Sequence, residues 1–409
     1  MKLIYCLILL SFSFSQTSTS SLNGFGSYIN RFDASAIGMG DTKFFSGFSD
    51  RANFSSSSSF WKSPFSNLIM SIDIHNYSLS DDNLVSNNFK MLSFSFPVGM
   101  NKAFSLGMNP LLRSNISISE SDYIFIPSQN SPTGNPLAYN TDYSFKGGIS
   151  EFYLLYSSLI TDNFSIGLRW SKLFGTSEYE YLLNLYNISF DSNENISYNF
   201  NNTESFSNNQ EYSSQKYNFE LRYNLKKYEF VFSYSHTSPL EISFTPFFDT
   251  LGSLNTEEYL VNDNLFERDF GLKYQLNNNI GLVFENHYYN SFNTYDFLNI
   301  LNNNIDNIKS NHIGAYFVDY KKSNSEINKS IFKFGFFDKK YDLTGYNISD
   351  KGFTLGYGIN YFKTKNFLDV SFKFGKKSFS NNIYSDEDYY QIVLSLISGE
   401  KWFVNERKK

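Results

Sequence analysis

The side chains best suited to acid–base or metal chemistry are four histidines, His75, His236, His287 and His312, and two acidic clusters, Asp81-Asp82 and Asp386-Glu387-Asp388. Nucleophilic catalysis needs a nucleophile, a base and an orienting group within hydrogen-bond reach of one another. No Ser, Asp or Glu stands at a spacing that assembles such a unit with a histidine on one predicted strand, and each histidine falls at or near a strand end. HExxH, CxxC, a phosphate-cradling glycine loop and calcium-loop spacing do not occur. The acidic clusters fall in or beside predicted outer loops, where a solvated carboxylate needs no further role. The chain is therefore expected to be no enzyme and to carry no metal and no cofactor.

The elements holding these residues follow an export signal. Lys2 gives a positive start, Leu3 to Leu10 form an apolar run, and Ser11 to Ser15 are small. That pattern predicts a signal peptide over 1–16, with an apolar core too short to span a bilayer. Cys6 lies inside it, so disulfides and cysteine-based metal sites are not expected in the remainder. Aromatic residues make up 19% of the chain and charged residues only 18%, which is unusual for a water-soluble domain. No later run of 18 apolar residues exists to form a spanning helix. A formal net charge of −6 leaves no basic face for nucleic acid.

Alternation identifies the fold. Residues 217–225 read Tyr-Asn-Phe-Glu-Leu-Arg-Tyr-Asn-Leu, with every second residue aromatic or Leu and every residue between polar. Tyr228, Phe230, Phe232 and Tyr234 continue the pattern, as do Leu368, Val370, Phe372 and Phe374. In a transmembrane barrel one parity faces lipid and the other the lumen. The same rule turns Asn218, Glu220, Arg222, Lys273, Gln275, Asp369 and Lys373 inward. About fourteen strands follow, among them 65–76, 88–98, 103–112, 146–158, 163–175, 214–225 and 388–398. The predicted class is all-β: an antiparallel transmembrane barrel over 65–398, with a plug segment over 17–64 inside its lumen and a periplasmic tail over 399–409. Tight polar turns such as Thr161-Asp162 and Lys226-Lys227 mark the periplasmic rim, and long connections (113–145, 176–213, 238–265) mark the outside. Phe125 and Ile126, and Phe244, Phe247 and Phe248, place apolar clusters in those outer connections and are candidates for capturing a greasy ligand. The serine run 55–59 reads as flexible filler.

The stretch Ala34-Ser35-Ala36-Ile37-Gly38-Met39-Gly40 reads as neither helix nor strand. It is similar to the N-terminal A-x-G-M-G element of the FadL/TodX family of outer-membrane transporters for hydrophobic compounds, and the closing Gly399-Glu400-Lys401-Trp402-Phe403 looks like the ending of Bacteroidetes-type members. Where the family has Asn-Pro-Ala before the first strand, this chain reads Trp61-Lys62-Ser63-Pro64, keeping only the proline. The resemblance implies a plug built on residues 34–40 with Trp61 and Pro64, and uptake of hydrophobic small molecules such as long-chain fatty acids. Ligand would be caught by the outer loops and leave sideways through a gap made by the third strand, where Gly107 and Pro110 are the candidates. It implies outer-membrane lipid around the barrel, and the barrel-assembly machinery as a partner during insertion into a Gram-negative outer membrane. A non-transporting relative that docks a protein for a secretion system, and a passive porin, are the alternatives.

Overall fold

A computed structural model describes residues 27–29, 31–47, 51–78, 83–128, 131–190, 196–249, 252–253, 256–261, 265–290, 305–323, 326–343, 346–361, 366–380 and 386–400. The predicted signal peptide, the turn at 362–365 and residues 401–409 lie outside these. Fourteen strands form the wall: β1 (Ser66–Ser78), β2 (Asn83–Pro97), β3 (Lys102–Ser128), β4 (Ser131–Thr161), β5 (Phe164–Phe190), β6 (Ile196–Leu225), β7 (Tyr228–Thr237), β8 (Leu265–Gln275), β9 (Ile280–Asn290), β10 (Ile305–Ser323), β11 (Glu326–Leu343), β12 (Tyr346–Tyr361), β13 (Asn366–Phe379) and β14 (Glu387–Glu400). Each pairs antiparallel with its chain neighbour, and β14 returns to β1 from Asp388↔Ser78 down to Glu400↔Ser66, closing the barrel. Closure leaves no sheet edge facing lipid except where a ladder is interrupted.

Alternation does its expected work around the wall. On β7, Phe232 and Tyr234 face outward while Val231, Ser233 and Ser235 are buried inward. Outward faces carry Phe, Tyr and Leu as an apolar belt, and inward faces carry the charges, including Glu220, Arg222, Asp369 and Lys373.

Several outer connections are not loops. The regions 113–145 and 176–213, expected to be irregular, are largely β-ladder: β3 and β4 stay paired up to Ser128↔Ser131, and β5 and β6 up to Phe190↔Ile196. A membrane strand needs only ~9–11 residues, whereas β3 to β6 have 27 to 31. Their upper legs stand clear of the belt as one four-stranded sheet, because β4 also pairs with β5 as far as Leu137↔Asn187. The region 238–265 adds Leu240–Phe248, which pairs with β6, and Glu257–Val261, which pairs with it in turn. These legs escaped the sequence pattern because their outward parity is polar, as at Ser117, Thr176, Glu178 and Glu180, while the other parity buries apolar side chains such as Ile116 and Phe145. At the other end, β14 runs two residues past the expected limit of 398, to Glu400.

Candidate functional site

Residues 31–46 are buried without exception, inside the barrel. Ala34–Ile37 forms one helical turn, where an irregular segment was expected; Asp33 caps it by accepting from the Ser35 N–H at 2.9 Å. The small residues let plug backbone touch wall backbone. A Cβ on Gly38 would stand 2.7 Å from Gly356 Cα on β12, and Gly40, at φ +86°, abuts the Ile313 carbonyl and Gly335. The wall answers with glycines of its own at 314, 335 and 356. Gly38→Val therefore forces two backbones apart. It is expected to weaken plug seating by about 1–3 kcal/mol, measured as faster maleimide labelling of an Ala36→Cys reporter that is buried in the parent.

Charge fixes the plug in place. Arg51 donates to both oxygens of Asp33 at 3.1 Å and to Asp369 of β13, which also receives Lys333 of β11 at 2.8 Å. Asp41 accepts from Lys339 at 2.5 Å and from Lys373 at 3.0 Å. Lys43 reaches Asp269 of β8 at 2.6 Å, while the Lys43 and Phe44 N–H groups donate to Glu285 of β9 at 2.6 and 2.9 Å. The serine run is the opposite of filler. It opens a 3-10 turn, Ser57–Lys62, buried through Phe60, whose Ser57 and Ser58 N–H groups donate to Glu220 of β6 at 3.0 and 3.1 Å. Arg222 then donates to the Ser56 and Ser58 hydroxyls and to the Phe44 carbonyl.

Burial would raise the Asp41 carboxyl, but Lys339 and Lys373 overcome it and hold the group well below the usual carboxylate range. The sign is that of a depressed acid: its stabilisation is complete above the unfolded value of about 3.9 and fades only as pH falls below it. The plug is thus expected to stay seated from pH 7 to pH 5, with no rise in bilayer conductance.

Two histidines join this network: His287, three residues from the end of β9, and His312, well inside β10 rather than near its end. His287 lies between Asp269 at 2.8 Å and Glu285 at 2.9 Å, and His312 bonds the Gly40 carbonyl at 2.7 Å and Arg31 at 2.9 Å. Glu285 precedes His287 and Ser310 precedes His312 by two residues, the strand spacing that puts each pair on one face. Both pairs are hydrogen-bonded at 2.9 Å, which corrects the expectation that no Ser, Asp or Glu stands at a useful spacing from a histidine on one strand. The group seats the plug: Glu285 holds two plug N–H groups, and all three wall side chains are buried. Between plug and wall a cavity of about 30 Å³ is lined by Lys43, Glu151, Arg169, Lys216 and Glu267 among others.

The wall has a seam. β2 and β3 pair only from Pro97↔Ala103 to Leu92↔Met108. Beyond that rung, β3 bulges between Pro110 and Leu112, and the chain's own Ser27–Tyr28 pairs with Arg113 and Leu112 in the space. The Ile29 N–H continues the ladder to the Leu111 carbonyl at 2.7 Å. Gly107 sits on the next-to-last rung and Pro110 starts the bulge; Pro110 does not end the strand, which continues to Ser128.

The remaining candidates are dispersed. Trp61 is half-buried and Pro64 exposed near the start of β1, so only the first joins the seated plug. Phe125 and Ile126 lie at the top of β3 opposite Pro136 and Asn135, with side chains outside the described set. Phe244 is buried, which removes it from any landing surface; Phe248 packs on Phe206 at 4.7 Å, and Phe247 is exposed. Sequence parity oriented Glu220 and Asp369 correctly but missed Asp269, Glu285, Lys333 and Lys339. Their signal was the same parity, applied to strands whose outward residues are rings.

The fold is similar to that of solved outer-membrane channels. A Pseudomonas aeruginosa FadL homologue matches with a TM-score of 0.56 at 8% identity, over 91% of this chain and 99% of that one. The Ralstonia pickettii toluene transporter TbuX matches at 0.52 and 11%, over 91% and 99%. The Pseudomonas putida toluene transporter TodX matches at 0.52 and 10%, over 91% and 100%. No curated protein matches the chain. A family model described as BamG matches residues 1–409.

Proposed function

The chain belongs to the BamG family, and from that premise we propose that it is a stoppered outer-membrane barrel whose task is to dock protein, as a subunit beside the barrel-assembly machinery. The observation carrying this reading is the four-stranded sheet raised above the belt by β3 to β6, a platform far taller than spanning requires. It presents Tyr123 and Tyr198, both about half exposed with their hydroxyls bonded at 2.9 Å, and Phe200 beside them. Exposed rings of this kind are common anchors of protein interfaces. The family's name supports the assignment of the partner, and the lumen fits it. The described cavity between plug and wall carries Lys43, Glu151, Arg169, Lys216 and Glu267, a charged lining unlike the mostly apolar one that a site for a drug-sized apolar ligand takes.

Hydrophobic uptake is the second reading, favoured by the seam. Leu111 and Leu112 at the bulge belong to a buried apolar cluster with Ile149, Leu173, Tyr212 and Leu240, so the seam between β2 and β3, filled by Ser27 and Tyr28, borders apolar side chains. Purification of the tagged mature chain from its own outer membrane separates the two. Docking predicts recovery with the central barrel of the assembly machinery in near-equal amounts, lost when the upper legs of β5 and β6 are shortened. A barrel recovered alone, with extractable fatty acid, supports uptake and overturns docking.

A further inference from the structure

The lipid-facing wall is not evenly convex. From β2 to β7 it carries a hollow of about 570 Å³ whose floor is Leu106, Leu154 and Leu168 and whose rim includes Phe104, Tyr156 and Phe219. Register explains it. Two outward rows cross these strands, Phe104–Tyr156–Leu168–Phe219 and Leu106–Leu154–Trp170–Tyr217, so Leu106 and Leu154 stand side by side in one row, Leu168 sits diagonally from Leu154 in the other, and rings flank the three leucines. Phe96, Phe104 and Tyr156 pack as neighbours at 6.2 and 5.0 Å, walling one side with rigid planes. The opposite end is polar. There Trp170 Nε1 and the Tyr217 hydroxyl both donate to Gln215 Oε1, at 3.3 and 2.8 Å, and His236 stands next to Tyr217 across the ladder. His236 lies one residue from the top of β7, so this end is at the outer interface, where Trp and Tyr mark headgroup depth.

We propose that this hollow is a binding site for one acyl chain of an outer-leaflet lipid, with the headgroup at Gln215 and His236 and the chain running down towards Phe104. The belt on either side is in contact with lipid, so the hollow continues an established lipid interface. In a bilayer no hydrophobic driving force separates one lipid contact from another, and shape decides. A convex wall touches a chain along one side, whereas a hollow surrounds it and adds dispersion contacts whose sum fixes residence. The convex wall of another barrel would bridge the rim and leave the floor empty, which argues for a chain over a protein.

The test uses the full mature chain in nanodiscs containing a small fraction of phosphatidylethanolamine with a diazirine on its acyl chain, with adducts mapped by mass spectrometry after irradiation. Adducts on peptides carrying Leu106, Leu154 and Leu168 are expected to exceed those on the equally lipid-exposed Phe332, Phe334 and Phe353 by about fivefold. A Leu154→Trp, Leu168→Trp variant, which fills the floor, is expected to abolish the excess while migrating as a folded barrel. Even labelling around the wall overturns the site. So does protein rather than lipid cross-linked to a photoreactive residue at Leu168 in native membranes. If the filled variant fails to fold, an undiminished excess in the milder Leu168→Phe variant would also count against it.

Discussion

Removing residues 17–64 is expected to convert a silent barrel into a steady ion channel in planar bilayers. The barrel closes without that segment, since β14 pairs with β1 along their length and every other strand has neighbours from the wall itself; the segment adds to the wall only at the seam, where Ser27 and Tyr28 pair with β3. The segment does fill the lumen: residues 31–46 are wholly buried, and their partners lie on strands from β6, where Arg222 donates to the Phe44 carbonyl, round to β14, where Ser395 accepts from the Ala34 N–H. Fourteen strands enclose a lumen that must be either filled or open to water. Once vacated, its charged face takes up water and conducts. The removed segment carries Arg31, Lys43, Arg51 and Lys62 against Asp33, Asp41 and Asp50, four cations against three carboxylates, so the opened lumen is left one charge more negative and a slight cation preference is expected. Conductance of the truncated barrel is expected to exceed that of the intact protein by at least about tenfold. Large conductance from the intact protein would sink the stopper. So would silence from a truncated protein that still migrates as a heat-modifiable barrel.

The wall was legible because the bilayer writes it. Tyr217 to Leu225 must alternate, since one parity meets hydrocarbon and the other a polar lumen, and fourteen strands follow from repeating that rule. The same physics explains what was illegible. Above the belt no hydrocarbon calls for rings on the outward parity, so Ser117, Ser119 and Ser121 read as loop although they stand in a continuous ladder with β4. The plug was recognisable as an intrusion of small residues, but its lock was not. Ser56 to Ser58 matter because Glu220 comes to them from about 160 positions later, and Gly38 because Gly356 faces it. Such pairings are set by closure of the barrel and leave no local mark. The seam is intermediate: Gly107 and Pro110 flagged a weak ladder, while its occupation by Ser27 and Tyr28 was visible only in three dimensions.

Asp369→Asn is expected to release the plug more readily than any other conservative single substitution in the lumen. The carboxylate is fully buried and serves two cations, Arg51 from the plug and Lys333 from β11, with Asp33 completing a neutral set of four. Gly358, directly opposite on β12, leaves the space in which its oxygen lies. Asparagine preserves the shape and leaves two buried cations sharing one carboxylate, a loss of about 3–5 kcal/mol when a buried pair is broken from one side. A solvated pair would cost at most about 1 kcal/mol, so the magnitude itself reports whether the lock is dry. Adding Lys333→Met restores neutrality, because Arg51 keeps Asp33. The double variant is therefore expected to recover most of the loss, a coupling of about 2 kcal/mol or more. The readout is maleimide labelling of Ala36→Cys against urea, in a barrel whose heat-modifiable migration is unchanged. If Asp369→Asn labels no faster than its parent, or if Lys333→Met adds to the damage instead of relieving it, the plug is held by packing of Gly38 and Gly40 against the wall and not by charge.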